Sequence, residues 1–240
     1  IALFDDLNTV STVHVLRNGQ SVSMSSTGSE FPPEFLKTCD LSPLKADDFA
    51  IPARGPKAKV ALISKPRFTE WDEAVADVID GQLGLPEGAT MIAVISRYKG
   101  AEAKPKVGFL HGWGDWNGAF ATTISHDSHN LTVFGNDRAE MARAANALID
   151  AGGGMSVAPA GAVKAILPLP VAGLVSDAPL PEVAAALASL RDAMGEVVEW
   201  QPPYLTFKAL VGATLACNTG PHQTDLGIAD SHKGILLSSA

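Results

Sequence analysis

Cysteine is nearly absent: Cys39 and Cys217 are the only two among 240 residues. Two thiols cannot build the disulfide framework that holds small secreted domains together, and these two form no CxxC pair of the kind that marks a zinc site. Buried free thiols in a reducing compartment are therefore expected. Positive charge is also in short supply. Lysine and arginine number 18 against 26 aspartates and glutamates, a net charge of −8, which argues against nucleic acid or an anionic membrane surface as the main partner, since both need a basic face. No apolar run approaches the roughly 20 residues needed to cross a bilayer. Internal repeats and low-complexity tracts are lacking, as are GxGxxG, P-loop, GxSxG and HExxH motifs, and no His-x-His closes an expected strand. The sequence opens on Ile1, with neither an initiator methionine nor a signal peptide, which raises the expectation of further natural chain upstream.

What is present is a globular composition, 46% hydrophobic and 18% charged, long enough to bury one large core or two small ones. Residues 1–24 read as short strands. "IALF" and "STVHVLRNGQSVSM" alternate apolar positions, and Asn18-Gly19 between them is a strong hairpin signal, because a type I′ turn needs positive φ at both central residues. A lone hairpin is marginal in water, so this segment is expected to be less well held than residues 57–240. Residues 31–56 read as a connector punctuated by Pro32, Pro33, Pro43, Pro52 and Pro56, in which "ADDF" starts a helical turn that Pro52 stops. From Lys57 onward, "AKVALIS", "TMIAVISRY", "KVGFLHGWG", "AFATTIS" and "LTVFG" read as strands.

The spacing predicts a helix from Asp137 to Ala151, with Asn136 or Asp137 as cap, Glu140 in the capping-box position, and Gly152-Gly153-Gly154 after it. "MSVA" and "AVKAIL" flank Pro159-Ala160-Gly161 as another hairpin. A second helix is expected over Pro181–Met194, with Val183, Leu187, Leu190 and Met194 as its apolar stripe and Gly195 as its stop. The class is α+β: a mostly antiparallel sheet with two packed helices, preceded by a short β hairpin.

Three segments concentrate chemistry-bearing side chains. His126, Asp127, Ser128, His129 and Asn130 separate two apolar strands. Two imidazoles and a carboxylate so close together suit a divalent metal, with His126, Asp127 and His129 as ligands, or a proton donor at a pocket rim. They equally suit a tight connection whose Asp, Ser and Asn bond their own backbone. In "HGWGDWNGA", His111, Trp113 and Trp116 offer a surface on which a flat ring could stack, or the two indoles are simply core. In "ACNTGPHQTDLGIADSH", Cys217 and His222 match no fixed nucleophile spacing, and nothing in the sequence brings them together.

The residues leading into the first of these segments, "GAFATTISHDSHNLTVFG", resemble the C-terminal signature of the adenine deaminase family of amidohydrolases. "LPLPVAGLVSDAP" (Leu167 to Pro179) and "ALIDAGGGMSV" resemble two further stretches of that family. "DDLNTV" with "VLRNGQ" is similar to the point where an amidohydrolase chain leaves its barrel for the small β-sandwich. "FLKTCDLSPLKADDFAIPA" resembles the connector, and "FKALVGATLACNTGPHQTDLGIAD" one subgroup's ending. These segments cover nearly the whole chain in the family's order.

The resemblance implies residues 1–30 as the end of a β-sandwich, 31–56 as connector and 57–240 as the C-terminal domain. It implies hydrolysis of adenine to hypoxanthine and ammonia by a metal-bound hydroxide, with manganese, iron or zinc in a (β/α)₈ barrel upstream. The barrel's ligands have no counterpart in this chain, so no catalytic residue can be carried onto it. The 126–130 segment is carried over as a candidate site. The implied partners are the upstream barrel of the same protein and a purine, in a cytoplasmic homo-oligomer. The alternative is a non-catalytic scaffold or small-molecule-binding module of the same fold.

Overall fold

The computed structural model describes residues 2–4, 12–22, 31–66, 68–98, 103–200 and 206–237. The chain divides into two compact units, Ile1–Pro32 and Pro33–Ala240. In the first, β1 (Ala2–Phe4) pairs with β2 (Thr12–Arg17), and β2 pairs with β3 (Gln20–Ser21), all antiparallel. Asn18 at φ 52° and Gly19 at φ 77° form the expected turn, the left-handed pair that an Asn-Gly step tolerates best. The expectation about how firmly residues 1–30 are held falls partly on 5–11 and 23–30, outside the described residues.

The second unit is built on one nine-stranded sheet. Its strands are β4 (Lys57–Ser64), β5 (Glu70–Ile79), β6 (Gln82–Leu83), β7 (Ala89–Ile95) and β8 (Lys106–His111). After a short β9 (Asp115–Trp116) outside this sheet come β10 (Ala119–Thr122), β11 (Leu131–Gly135), β12 (Gly154–Ala158) and β13 (Ala165–Pro168). The order is β13-β12-β10-β11-β7-β8-β4-β5-β6, antiparallel except where β4 runs parallel to β8. Helix α1 (Arg138–Ala151) links β11 to β12, and α2 (Leu180–Val197) follows β13. Next come β14 (Val198–Glu199), paired with β9, then α3 (Thr206–Val211), and last a small sheet of β15 (His222–Thr224), β16 (Gly227–Asp230) and β17 (Ile235–Leu237). No helix among the described residues is long and apolar enough to cross a membrane.

Successive side chains of a strand point to opposite faces, and here both faces are covered. Leu62, Met91, Ala93, Phe109, Ala121 and Val133 join a core with Met141, Ala145 and Leu148 of α1. Their strand neighbours Ile63, Ile92, Leu110, Phe120 and Phe134 join a second core with Leu190, Met194 and Val197 of α2 and Ile228 of β16. Double burial is why these strands read as unbroken apolar runs. Residues 33–56 of the Pro-rich stretch are part of this unit. Cys39, Leu41, Leu44 and Phe49 are buried in the α1 core, and the Leu44 N–H and carbonyl both bond the Asn146 side chain, at 2.8 and 2.9 Å.

The structure corrects the sequence expectation in four places. β5, "EWDEAVADVI", escaped notice because its acids disguise the alternation. It is an outer strand whose exposed face pairs across to β4 through Lys57–Asp77 at 3.4 Å and Lys59–Glu73 at 2.6 Å. Asp137 caps α1, accepting from the Ala139 and Glu140 N–H groups, but Glu140 closes no capping box. Its carboxylate accepts from the Gly161 N–H at 2.9 Å and pairs with Arg143.

Helix α2 also does not stop at Gly195. An interior glycine costs about 1 kcal/mol, less than the roughly 1.5–3 kcal/mol gained by burying Val197, so the helix runs on and passes directly into β14. Finally, the buried stripe of α2 lies only in its second half, on Leu190, Ala193, Met194 and Val197, while Leu187 is 37% exposed. Leu190→Ala is accordingly expected to cost about 2–5 kcal/mol and Leu187→Ala less than about 1 kcal/mol in denaturant unfolding. The reverse order would mean that α2 packs on its N-terminal half.

Candidate functional site

β10 and β11 pair from Ala119↔Gly135 to Thr122↔Thr132, and the 123–130 segment closes the end. Its base is locked on both sides. Thr123 donates its N–H to the Gly154 carbonyl at 2.9 Å and its hydroxyl to the Gly173 carbonyl at 2.6 Å, and its hydroxyl accepts the Gly154 N–H at 2.8 Å. The Ser125 hydroxyl is 2.9 Å from that of Thr214 and accepts from Thr132 at 3.0 Å. These last three hydroxyls border a small cavity of about 30 Å³ also lined by Phe120, Phe134 and Leu210. That volume suits a water or two and no heterocycle.

Beyond this base, His126, Asp127 and Ser128 are exposed, His129 is half-buried and Asn130 is buried. The two imidazoles lie with ring centroids 5.7 Å apart at a 52° tilt, and His126 Nδ1 is 3.7 Å from an Asp127 oxygen. The His129 N–H donates to the Ser125 carbonyl at 2.6 Å, with His129 at φ 50°. A bulky side chain in the left-handed region costs of order 1 kcal/mol and persists where surrounding structure imposes it. The His129 Nδ1 is buried without a partner among the described residues, as is Asn130 Oδ1. Burial, helped by the neighbouring His126 and Arg97 and opposed by Asp127, holds His129 below the usual histidine range. His129 is thus a neutral imidazole at pH 7, competent to accept a proton.

Among the described residues no three His, Cys, Asp or Glu side chains converge as a metal ligand set. His126, Asp127 and His129 by themselves do not make a metal centre. The structure adds a residue that sequence reading missed. Arg97, at 3% exposure, donates from Nη1 to Thr38 Oγ1 at 3.1 Å and to the Ala172 carbonyl at 2.7 Å, and from Nη2 to the Tyr98 hydroxyl at 2.9 Å. That hydroxyl lies 3.5 Å from the Ser128 carbonyl. The guanidinium carbon also sits 4.9 Å from the centre of the Tyr98 ring. Arg97 stands just after the buried strand β7, and the only sequence signal was a cation closing an apolar run.

The other sequence-derived residues do not gather here. Trp113 and Trp116 are core, 1% and 8% exposed. Trp116 stacks on Phe134 at 6.1 Å and donates its indole N–H to the Trp113 carbonyl at 2.8 Å. Neither offers an open face to a ring. His111 lies in an open groove with Phe68 and Gly112, its Nδ1 2.7 Å from Asp72. That hydrogen bond holds the Asp72 carboxyl below its usual value. Cys39 is buried and Cys217 is exposed, so the expectation of buried thiols holds for one and fails for the other. Burial outweighs the nearby Arg97 charge and raises the Cys39 thiol to about 11, which keeps it protonated and unreactive. His222 is buried in β15, and Asp230 accepts the Trp71 indole N–H at 2.6 Å and the Lys233 N–H at 3.1 Å. Asp230 is thereby committed to structure.

Comparison with known proteins gives a consistent result. The family profile described as adenine deaminase C-terminal domain matches residues 66–234. The chain is similar to adenine deaminase 2 of Agrobacterium fabrum, 56% identical over 248 residues that take in all of this chain and 41% of the relative. With adenine deaminase 2 of Rhizobium meliloti the identity is 54% over 244 residues, again all of this chain and 41% of the relative. With adenine deaminase of Klebsiella pneumoniae (strain 342) it is 46% over 196 residues, 80% of this chain and 32% of the relative. The chain therefore spans about two fifths of the length of the first two of these relatives.

Proposed function

Because the chain belongs to the adenine deaminase C-terminal domain family, we propose that it is the C-terminal portion of an enzyme that hydrolyses adenine to hypoxanthine and ammonia. One observation carries the reading: a turn bearing two histidines is carried between two paired, buried strands, with burial holding His129 below the usual histidine range, in a chain akin along its whole length to a protein named adenine deaminase 2. In the reaction, water adds to the ring carbon that bears the amine, and ammonia leaves once a proton has been moved onto it.

The divalent metal that the resemblance implies, whether manganese, iron or zinc, supplies the activated water when bound. Since the turn makes no ligand set alone, its ligands are assigned to an upstream barrel. The residues of this chain cover and orient. The turn closes the open end of that barrel, excludes bulk water, and sets His129 where a proton can be accepted. Residues 1–30 are read as the returning part of the enzyme's β-sandwich. The protein is placed in the cytoplasm as a homo-oligomer, a location with which two unpaired thiols agree.

The test is the complete gene product, with any upstream reading frame included, assayed on adenine with manganese, iron or zinc supplied. Hypoxanthine and ammonia are expected in equal amounts. No conversion of adenine would leave the chain a binding or scaffold module.

A further inference from the structure

Three stretches far apart in sequence meet at Arg97. Thr38 comes from the Pro-rich segment, Ala172 from the stretch after β13, and Ser128, reached through Tyr98, from the candidate turn. The first two are joined again where the Ala172 N–H donates to the Phe35 carbonyl at 2.6 Å. Gly173, at φ 68°, leaves the space the guanidinium fills, since a Cβ there would run into Arg97 Nη1. The Gly173 carbonyl in turn accepts from Thr123 at the base of the turn. A single planar cation thus braces the turn from beneath.

We propose that Arg97 is the positioning residue of the candidate site, bracketing Thr38, Ala172 and Tyr98 so that the turn carrying His126 and His129 is held in one geometry. A purely structural role accounts poorly for the choice of side chain. No carboxylate among the described residues lies within ion-pairing distance of Arg97, and its direct contacts are neutral acceptors and the Tyr98 ring. Burying a charge in that way is costly, and a well-packed apolar residue generally stabilises a core at least as well. What arginine offers is a rigid fork of donors that can hold several acceptors in one plane, which neither lysine nor an apolar residue can do. Its Nε is buried without a partner among the described residues. Tyr98, 65% exposed and fixed through its hydroxyl and ring to Arg97, carries the bracket to the surface beside the turn.

The catalytic meaning of this bracket rests on the proposed function, but the bracket itself does not, and two measurements separate them. The first is amide hydrogen exchange on the 240-residue chain. Arg97→Gln is expected to speed exchange at least tenfold at His129, Asn130, Ala172 and Leu174 and to leave α1 unchanged. Arg97→Lys should recover only part of the protection. If Arg97→Gln does not fold, Thr38→Val, which removes one acceptor, should raise exchange at the same amides. Unchanged exchange at the turn overturns the proposal whatever the substrate.

The second measurement is turnover of adenine by the full-length protein. Arg97→Gln should lower it at least tenfold in the native background and less than twofold in a His126→Ala/His129→Ala background, because Arg97 acts through that turn. Equal losses in both backgrounds would mean general destabilisation and would overturn the positioning role. Absence of any adenine turnover would sink the functional reading alone, with the exchange result still deciding the bracket.

Discussion

Purified on its own and supplied with manganese, iron or zinc, the 240-residue chain should release no measurable ammonia from adenine. Hydrolysis at neutral pH needs a nucleophile far stronger than water, and a bound metal provides it by lowering the pKa of its water toward 7. Here the metal-ligating side chains are scattered. His126 and His129 share a turn with Asp127, His111 is bound to Asp72 in another groove, and Asp230 is held by Trp71. No described set of three surrounds a point. The small cavity beside the turn is also too tight for a purine. Relative to the complete enzyme the expected loss is on the order of a millionfold or more, the lower end of what enzymes contribute over the uncatalysed reaction. The check is a coupled ammonia assay on chain purified from a host lacking its own adenine deaminase. Turnover at an enzymatic rate by the metal-loaded chain would sink this expectation and place a catalytic centre within these residues.

The second large effect is expected in the full-length protein. His126→Ala and His129→Ala should each lower adenine turnover by roughly tenfold or more, as loss of an acid–base or positioning group does. Melting temperatures should move by only a few degrees, because both side chains lie outside the two cores. A turn needs only Asn, Asp, Ser or Gly for its backbone, and two histidines exceed that need, one of them at a positive φ.

The pH dependence sharpens the test. His129 sits below the usual histidine range, with burial as the first cause and His126 the second. It is therefore protonated only at a pH below that of a free histidine, and an activity that needs it neutral persists to correspondingly lower pH. Removing His126 removes one lowering influence, so in His126→Ala the acid limb of kcat should move upward in pH. Unaltered turnover in both variants would leave the turn structural.

Much of the fold was legible in the sequence because it is set locally. Asn18-Gly19 can hardly avoid a tight turn, Asp137 caps a helix whose apolar positions recur at helical spacing, and Gly152 ends it at φ 80°. The apolar runs of β7, β8, β10 and β11 were recognisable because both faces are buried, which leaves no polar alternation to obscure them. β5 was missed for the opposite reason: its exposed face carries acids that pair with lysines of β4, and those partners are visible only once the register is known.

The position of the candidate turn was legible too, since five polar residues interrupt two apolar strands. What those residues do not declare is their surroundings. Nothing in "HGWGDWNGA" says that Trp113 is sealed in a core while His111, two residues before it, is open to solvent. Nothing in "VISRY" says that Arg97 joins Thr38, 59 residues before it, to Ala172, 75 residues after it. Sequence by itself determined the first hairpin, the apolar core strands, the two long helices, the class and the family, because turn geometry, helix capping and apolar periodicity act over a few residues. Only the tertiary structure decided that burial lowers the His129 pKa, that Trp113 and Trp116 are unavailable and that Arg97 is buried between distant segments, because burial and hydrogen bonding between distant segments exist only after the chain has closed on itself.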